Sequence, residues 1–274
     1  MGAVDEGRTT PARGGDLVAR ILSAVALAAI ALLGTILGAW AAAIVLGIVT
    51  AIVHLEWASL TDRSPWPTAV FTGGLVIALA MIALGYPLGG LMIVGLAVLA
   101  ALATIDIWRP IGVAYAAMLG VGLLVLRLSP EGLAAVLLIL VVVWATDTGA
   151  FFAGRIIGGA KLWPRVSPNK TWAGAIGGLV AGVIGGFVVA DVLHLDLSVP
   201  LIGIVVLLSI ASQAGDLFES WVKRRFGAKD SGDLIPGHGG LMDRVDGLAF
   251  ASGLAACIGW FHGGANVAQG LLAW

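Results

Sequence analysis

The sequence predicts an all-α, polytopic membrane bundle of about nine transmembrane helices. Three observations predict it: 59% of the 274 residues are hydrophobic, only 11% are charged, and apolar runs of membrane-spanning length recur along the chain. A soluble domain carries roughly 25% charged residues. So little polar surface cannot cover a water-facing exterior, and the mean hydropathy of +1.04 agrees. The net charge of −1 gives no electrostatic reason to expect a nucleic-acid partner.

A bilayer core of about 30 Å takes roughly 20 apolar residues per helix. Residues 1–15 read as a short disordered cytoplasmic tail, and 16–274 as a single transmembrane catalytic domain. Arg8, Arg13 and Arg20 before an apolar run imitate a signal peptide. The run is far longer than the roughly 7–15 residues of such a segment, so it reads as a retained anchor. At 21–55 it fits two spans that break near 34–38. The other spans are expected at 67–84, 88–105, 111–126, 133–144, 173–190, 199–214 and 248–262.

With the N-terminus in the cytoplasm, this threading places 14 of the 15 basic residues on the cytoplasmic side, Arg127 being the exception. Cytoplasmic loops are enriched in Lys and Arg. Gly174, Gly178, Gly182 and Gly186 recur at the spacing that lets membrane helices approach closely. Such glycine-rich spans permit a homodimer without demanding one. The single cysteine, Cys257, excludes an intrachain disulfide and is expected to be a buried, inert thiol.

Two segments are too polar to be plain connectors. Residues 146–172 and 213–247 together hold 9 of the 15 basic and 7 of the 16 acidic residues. Clustered Lys and Arg neutralise phosphate oxygens, and Asp carboxylates among them suit Mg²⁺. The glycines around His238 allow close backbone approach to a ligand. Asp147 and Asp216 each follow an apolar run, where an acid is costly unless paired or metal-bound. Asp216, Ser220 and Lys223 share a helix face, which also suits a plain ion network. Asp243 and Asp246 are likewise three apart. His238 suits a phosphate donor, an acid/base or a loop brace. Spacing alone therefore points to phosphate and metal chemistry on the cytoplasmic face.

The second segment reads Ser220-Trp221-Val222-Lys223-Arg224, Lys229-Asp230, then Pro236-Gly237-His238-Gly239-Gly240-Leu241-Met242-Asp243-Arg244-Val245-Asp246. It resembles, nearly residue for residue, the signature of the phosphatidate cytidylyltransferases, or CDP-diacylglycerol synthases. Asp147-Thr148-Gly149-Ala150, Gly154-Arg155 and Ser167-Pro168-Asn169-Lys170-Thr171-Trp172 resemble the family's upstream loop. Ala173 departs from the Glu or Gln common in relatives. The resemblance is firm over about 140–255 and is limited to hydropathy before that.

The resemblance implies transfer of CMP from CTP to phosphatidic acid, in phospholipid biosynthesis at a lipid bilayer. It implies that Asp216 and Asp243 hold a catalytic Mg²⁺, with a second, monovalent cation left open. Lys223, Arg224 and Lys229 would grip phosphates, Lys170 would close over them, and Ser220 and His238 would orient phosphate oxygens. Asp230 and Asp246 would brace the basic residues or join the metal shell. Asp147, Ser167, Asn169, Gly239, Gly240 and Arg244 complete the substrate-binding set. The family's usual setting implies a bacterial inner membrane, with the active site facing the cytoplasm. Two rivals share some features. A polyprenol or dolichol kinase would need similar polar loops, but the order of the signature disfavours it. A transporter using Asp147 and Asp216 should show inverted repeats, which the sequence lacks.

Overall fold

A computed structural model describes residues 14–61, 64–234 and 239–274. Their helices are α1 (Gly14–Ile36), α2 (Ala39–Thr61), α3 (Pro65–Ala83), α4 (Pro87–Leu102), α5 (Trp108–Leu128), α6 (Gly132–Ile156), α7 (Trp172–Val192), α8 (Val199–Arg225), α9 (Met242–Gly263) and α10 (Val267–Leu272). A two-stranded antiparallel hairpin, β1 (Lys161–Trp163) and β2 (Ser167–Thr171), lies between α6 and α7. Among the described residues seven helices are long and apolar enough to cross a membrane. Two shorter apolar helices, Val25–Ile36 within α1 and Pro87–Leu102, bring the apolar helices to nine. The chain is a multi-pass membrane protein. The first long run divides at Leu37 and Gly38, where Gly38 takes φ +112, a conformation open to glycine.

The exterior is apolar. On α7, Ile176, Val180, Ile184 and Val188 are all exposed, while Gly174, Gly178, Gly182 and Gly186 are all buried. This inverts the pattern of a water-soluble helix, because lipid rather than water is the outer solvent. The glycine ridge packs inside the chain. A Cβ on Gly178 would lie 2.8 Å from the Thr146 carbonyl, and one on Gly174 would lie 2.9 Å from that of Ala150. The ridge whose spacing permits a homodimer is thus occupied by α6 and α8. At one end of the bundle, Arg127 Nε donates to the Thr35 carbonyl at 2.7 Å and ties α1 to α5.

A second glycine contact positions the polar end. A Cβ on Gly247 would lie 3.0 Å from the Ser212 carbonyl, and the backbone of Asp246 leaves equally little room at Gly215. Helices α8 and α9 therefore cross closely just where their acidic residues begin. Beneath them lies an aromatic layer. Trp57 stacks on Tyr115 at 5.3 Å and on Phe218 at 6.1 Å, and Phe218 meets Phe250 at 5.3 Å.

Several expectations need correction. Helix α6 runs on through Thr146 to Ile156, so the front of the first polar segment is helical. Helix α8 likewise continues to Arg225, and α9 begins six residues before the expected start. Hydropathy marks where lipid ends, whereas α6 continues packed on α7 through Gly154 and Gly174, and α8 continues to Lys223, which pairs with Glu219 and Asp243. The hairpin and α10 were not expected. Cys257 is exposed on the apolar outer surface of α9 rather than buried. Residues 1–13 of the proposed tail, Arg63 and the Pro236–Gly237–His238 stretch lie outside the described residues, while Gly14 and Gly15 of that tail already belong to α1.

Candidate active site

The two polar segments meet at one end of the bundle. Thr171 starts α7, its hydroxyl accepting from Gly174 N at 3.0 Å. This cap fixes the exit of β2 and places Lys170 opposite α8. Lys170 forms an ion pair with Asp216, and Ser220 Oγ donates to the same carboxylate at 3.4 Å. A cavity of about 580 Å³ opens here, lined by Asp147, Arg155, Asn169, Lys170, Gln213 and Asp216 among others. It combines two acids with two bases beside an apolar wall that includes Phe151 and Leu162.

One turn further along α8 a more buried cluster begins. Lys223 Nζ donates to Glu219 Oε2 at 2.9 Å and to Asp243 Oδ1 at 2.5 Å. The other oxygen of Asp243 accepts from Gly240 N at 2.8 Å, Ser231 N at 2.9 Å and Ser231 Oγ at 3.0 Å. Asp243 thus gathers the start of α9 and the stretch after α8 around a single carboxylate. Gly239 precedes this turn at φ +82, and a Cβ there would come 2.8 Å from Asp243 Oδ2. The glycine is needed for both backbone shape and space.

A third acid comes from the far side of the sequence. Glu56, near the end of α2, is only 8% exposed. Its oxygens accept from Leu241 N at 2.8 Å, Met242 N at 2.7 Å and Ser231 Oγ at 3.2 Å.

The remaining sequence-predicted residues are dispersed around these two clusters. Arg224 is exposed and donates to the Ala228 carbonyl at 2.9 Å. Lys229, Asp230, Asn169 and Asp147 are exposed, and Ser167 is half-buried in β2. Asp246 is half-buried and accepts from Gly247 N at 2.7 Å. Arg244 is exposed and borders a separate, mostly apolar cavity of about 240 Å³ between α1 and the bundle. Lys223 pairs with Glu219 and Asp243, while Asp216 pairs with Lys170, so the shared helix face of Asp216 and Lys223 divides between two partners.

Sequence reasoning passed over Glu219 and Glu56. Glu219 lies four residues before Lys223, the favoured orientation for a helical ion pair, and that spacing was a usable signal. Glu56 is the first acid after the uncharged run at 21–55. Its position at a membrane boundary was the corresponding signal.

The donor chemistry fits a hard divalent cation. Asp216 and Asp243, with the hydroxyls of Ser220 and Ser231 beside them, offer oxygen alone, as Mg²⁺ prefers. Each carboxylate already holds an ammonium, Lys170 or Lys223, where a cation would be attracted. Among the described residues no three Asp, Glu, His or Cys side chains converge as a ready-made metal shell.

The chain is thus a polytopic helical membrane protein whose two polar segments bring acids and bases together at one end, an arrangement suited to an anionic ligand. The family follows from comparison with known proteins: residues 18–262 match the cytidylyltransferase family model, and the chain belongs to that family. It is 52% identical over 155 residues to a phosphatidate cytidylyltransferase of Brucella suis biovar 1 (strain 1330). That match covers 56% of this chain and 57% of the relative. A Staphylococcus saprophyticus protein of the same name is 45% identical over 136 residues, covering 49% of this chain and 52% of the relative. A third, from Staphylococcus haemolyticus, is 49% identical over 121 residues, covering 44% and 46%. The chain thus spans about half the length of the curated relatives it matches.

Proposed function

We propose that this protein is a phosphatidate cytidylyltransferase, transferring CMP from CTP to phosphatidic acid to give CDP-diacylglycerol and pyrophosphate. The observation that carries this reading is the joining of the two polar segments through Lys170 and Asp216 beside the cavity at the end of the bundle. One substrate is a lipid and the other a water-soluble triphosphate, so the reaction needs a polar site at the lipid–water boundary.

A phosphatidate oxygen attacks the α-phosphorus of CTP. A new P–O bond forms while the bond to the β-phosphate breaks and pyrophosphate leaves. The attacking monoester is already ionised near neutral pH, so no strong general base is required. The obstacle is repulsion between two polyanions, and the work is positioning and charge neutralisation. Lys170, Lys223, Arg224 and Lys229 supply the positive charge, and Ser220 and His238 orient phosphate oxygens. Asn169, Ser167, Gly239 and Gly240 offer backbone or amide donors, while Asp230 and Asp246 brace neighbouring cations. Asp216 and Asp243 would hold Mg²⁺, which when bound would supply Lewis-acid neutralisation of the phosphoryl charge.

This reading places the polar end in the cytoplasm of a bacterium, at its inner membrane. It is supported by the bacterial relatives and by the charge asymmetry. Arg109 and the basic residues of both polar segments lie toward the site end, while Arg127 lies at the other.

The test uses detergent-purified protein with phosphatidic acid and radiolabelled CTP, with and without a chelator, alongside Asp243→Asn. Label in the lipid phase that depends on divalent metal and is lost in the variant supports the reading. A folded preparation that labels no lipid overturns it.

A further inference from the structure

We propose that Glu56 is a positioning residue for cytidylyl transfer, reaching from α2 to fix the turn that presents Asp243 and Lys223; this role rests on the activity proposed above. The first N–H groups of a helix have no partner within it. At the start of α9 the flanking residue is Leu241, whose side chain makes no cap hydrogen bond. Glu56 takes up two of the amides at this helix start, one oxygen accepting from Leu241 N and the other from Met242 N. An anion at this position is also favoured by the helix dipole.

The placement links Glu56 to the reacting groups through one shared hydroxyl. Ser231 Oγ lies 3.2 Å from Glu56 Oε2 and 3.0 Å from Asp243 Oδ2. Asp243 in turn holds Lys223. Glu56 therefore sets the depth and angle of Asp243 relative to α2 without lying in the cavity lined by Lys170 and Asp216. Gly240 leaves the space this requires, since a Cβ there would come 2.6 Å from Glu56 Oε2 and closer still to Ser231 Oγ. A capping side chain at 241 would reach the amides of residues 243 and 244, not those of Leu241 and Met242. A carboxylate from a distant helix does more, because it ties the turn to the rest of the bundle. Misplacement of a reacting group by about 1 Å can cost on the order of 100-fold in rate.

The experiment compares full-length Glu56→Gln and Glu56→Asp with the unaltered protein in detergent. It records kcat and KM for CTP, thermal stability, and hydrogen exchange at the Leu241 and Met242 amides. Glutamine keeps the size but has a single acceptor oxygen, so it cannot serve both amides. The expected result for Glu56→Gln is a fall in kcat of about tenfold or more, with KM for CTP within about threefold and faster exchange at both amides. Glu56→Asp, which keeps both oxygens on a shorter arm, should fall between. Wild-type kcat in folded Glu56→Gln overturns the role, as does unchanged amide protection. A loss of kcat that only tracks the loss of folded protein overturns it too. An unaltered protein that makes no CDP-diacylglycerol overturns the activity reading and this role with it, whereas an active protein with an unaffected variant overturns the role alone.

Discussion

Lys223 of α8 donates to Asp243 of α9 across 2.5 Å, and the same ammonium holds the fully buried Glu219 at 2.9 Å. One cation therefore compensates two carboxylates on crossing helices. Removing one partner of a buried charge cluster typically costs about 3–5 kcal/mol, because the remainder is left uncompensated. Lys223→Met should destabilise the protein by roughly that amount in a denaturation series. Adding Glu219→Gln to it should recover much of the stability, while lipid labelling stays at background.

The pair of Lys170 and Asp216 behaves differently, because both side chains are about a third exposed, at 28% and 32%. Exposed pairs contribute about 1 kcal/mol or less. Lys170→Ala should therefore leave thermal stability nearly unchanged and lower kcat/KM by at least about tenfold, through lost charge neutralisation at the phosphates. Steady-state kinetics and a melting curve on one preparation check both halves.

Divalent-metal removal should separate turnover from folding. Asp216 and Asp243 each have a lysine partner within the protein, Lys170 and Lys223. Chelation is expected to stop lipid labelling, Mg²⁺ to restore it, and the melting temperature to change by only a few degrees.

Two glycines should respond in opposite ways to an added side chain. Gly178→Val would drive its Cβ to 2.8 Å from the Thr146 carbonyl on α6, and overpacking of this kind costs about 1–3 kcal/mol. Gly203 in α8 has open space around it, so Gly203→Ala should stabilise by about 0.5–1 kcal/mol through helix propensity. Thermal denaturation of the two variants side by side gives the comparison.

The apolar helices were legible because lipid selects for long uncharged runs, and their order followed directly. Their polar ends were less so. Asp147 on α6 looked like the border of a loop, since hydropathy cannot distinguish a helix that leaves the membrane from one that stops. The signature residues of α8 and α9 stood out as a local pattern. Glu56 did not, because its partners lie 185 and 186 residues away and no local pattern records such a contact. Glu219 was within reach of spacing rules but sat among stronger-looking neighbours. Cys257 was misjudged because an apolar neighbourhood means burial only when the outer solvent is water.

That separation in sequence bears on how the protein is made. While α9 is still within the ribosome, α2 already sits in the bilayer with Glu56 at its edge and no backbone amide to receive it. An acid left so near lipid is a standing cost for the unfinished chain. The carboxylate finds its two amides only after 185 further residues have been threaded. Nascent fragments that end before α9 therefore lack Asp243 and the turn that holds it, and the polar cluster closes only after the start of α9 has been made.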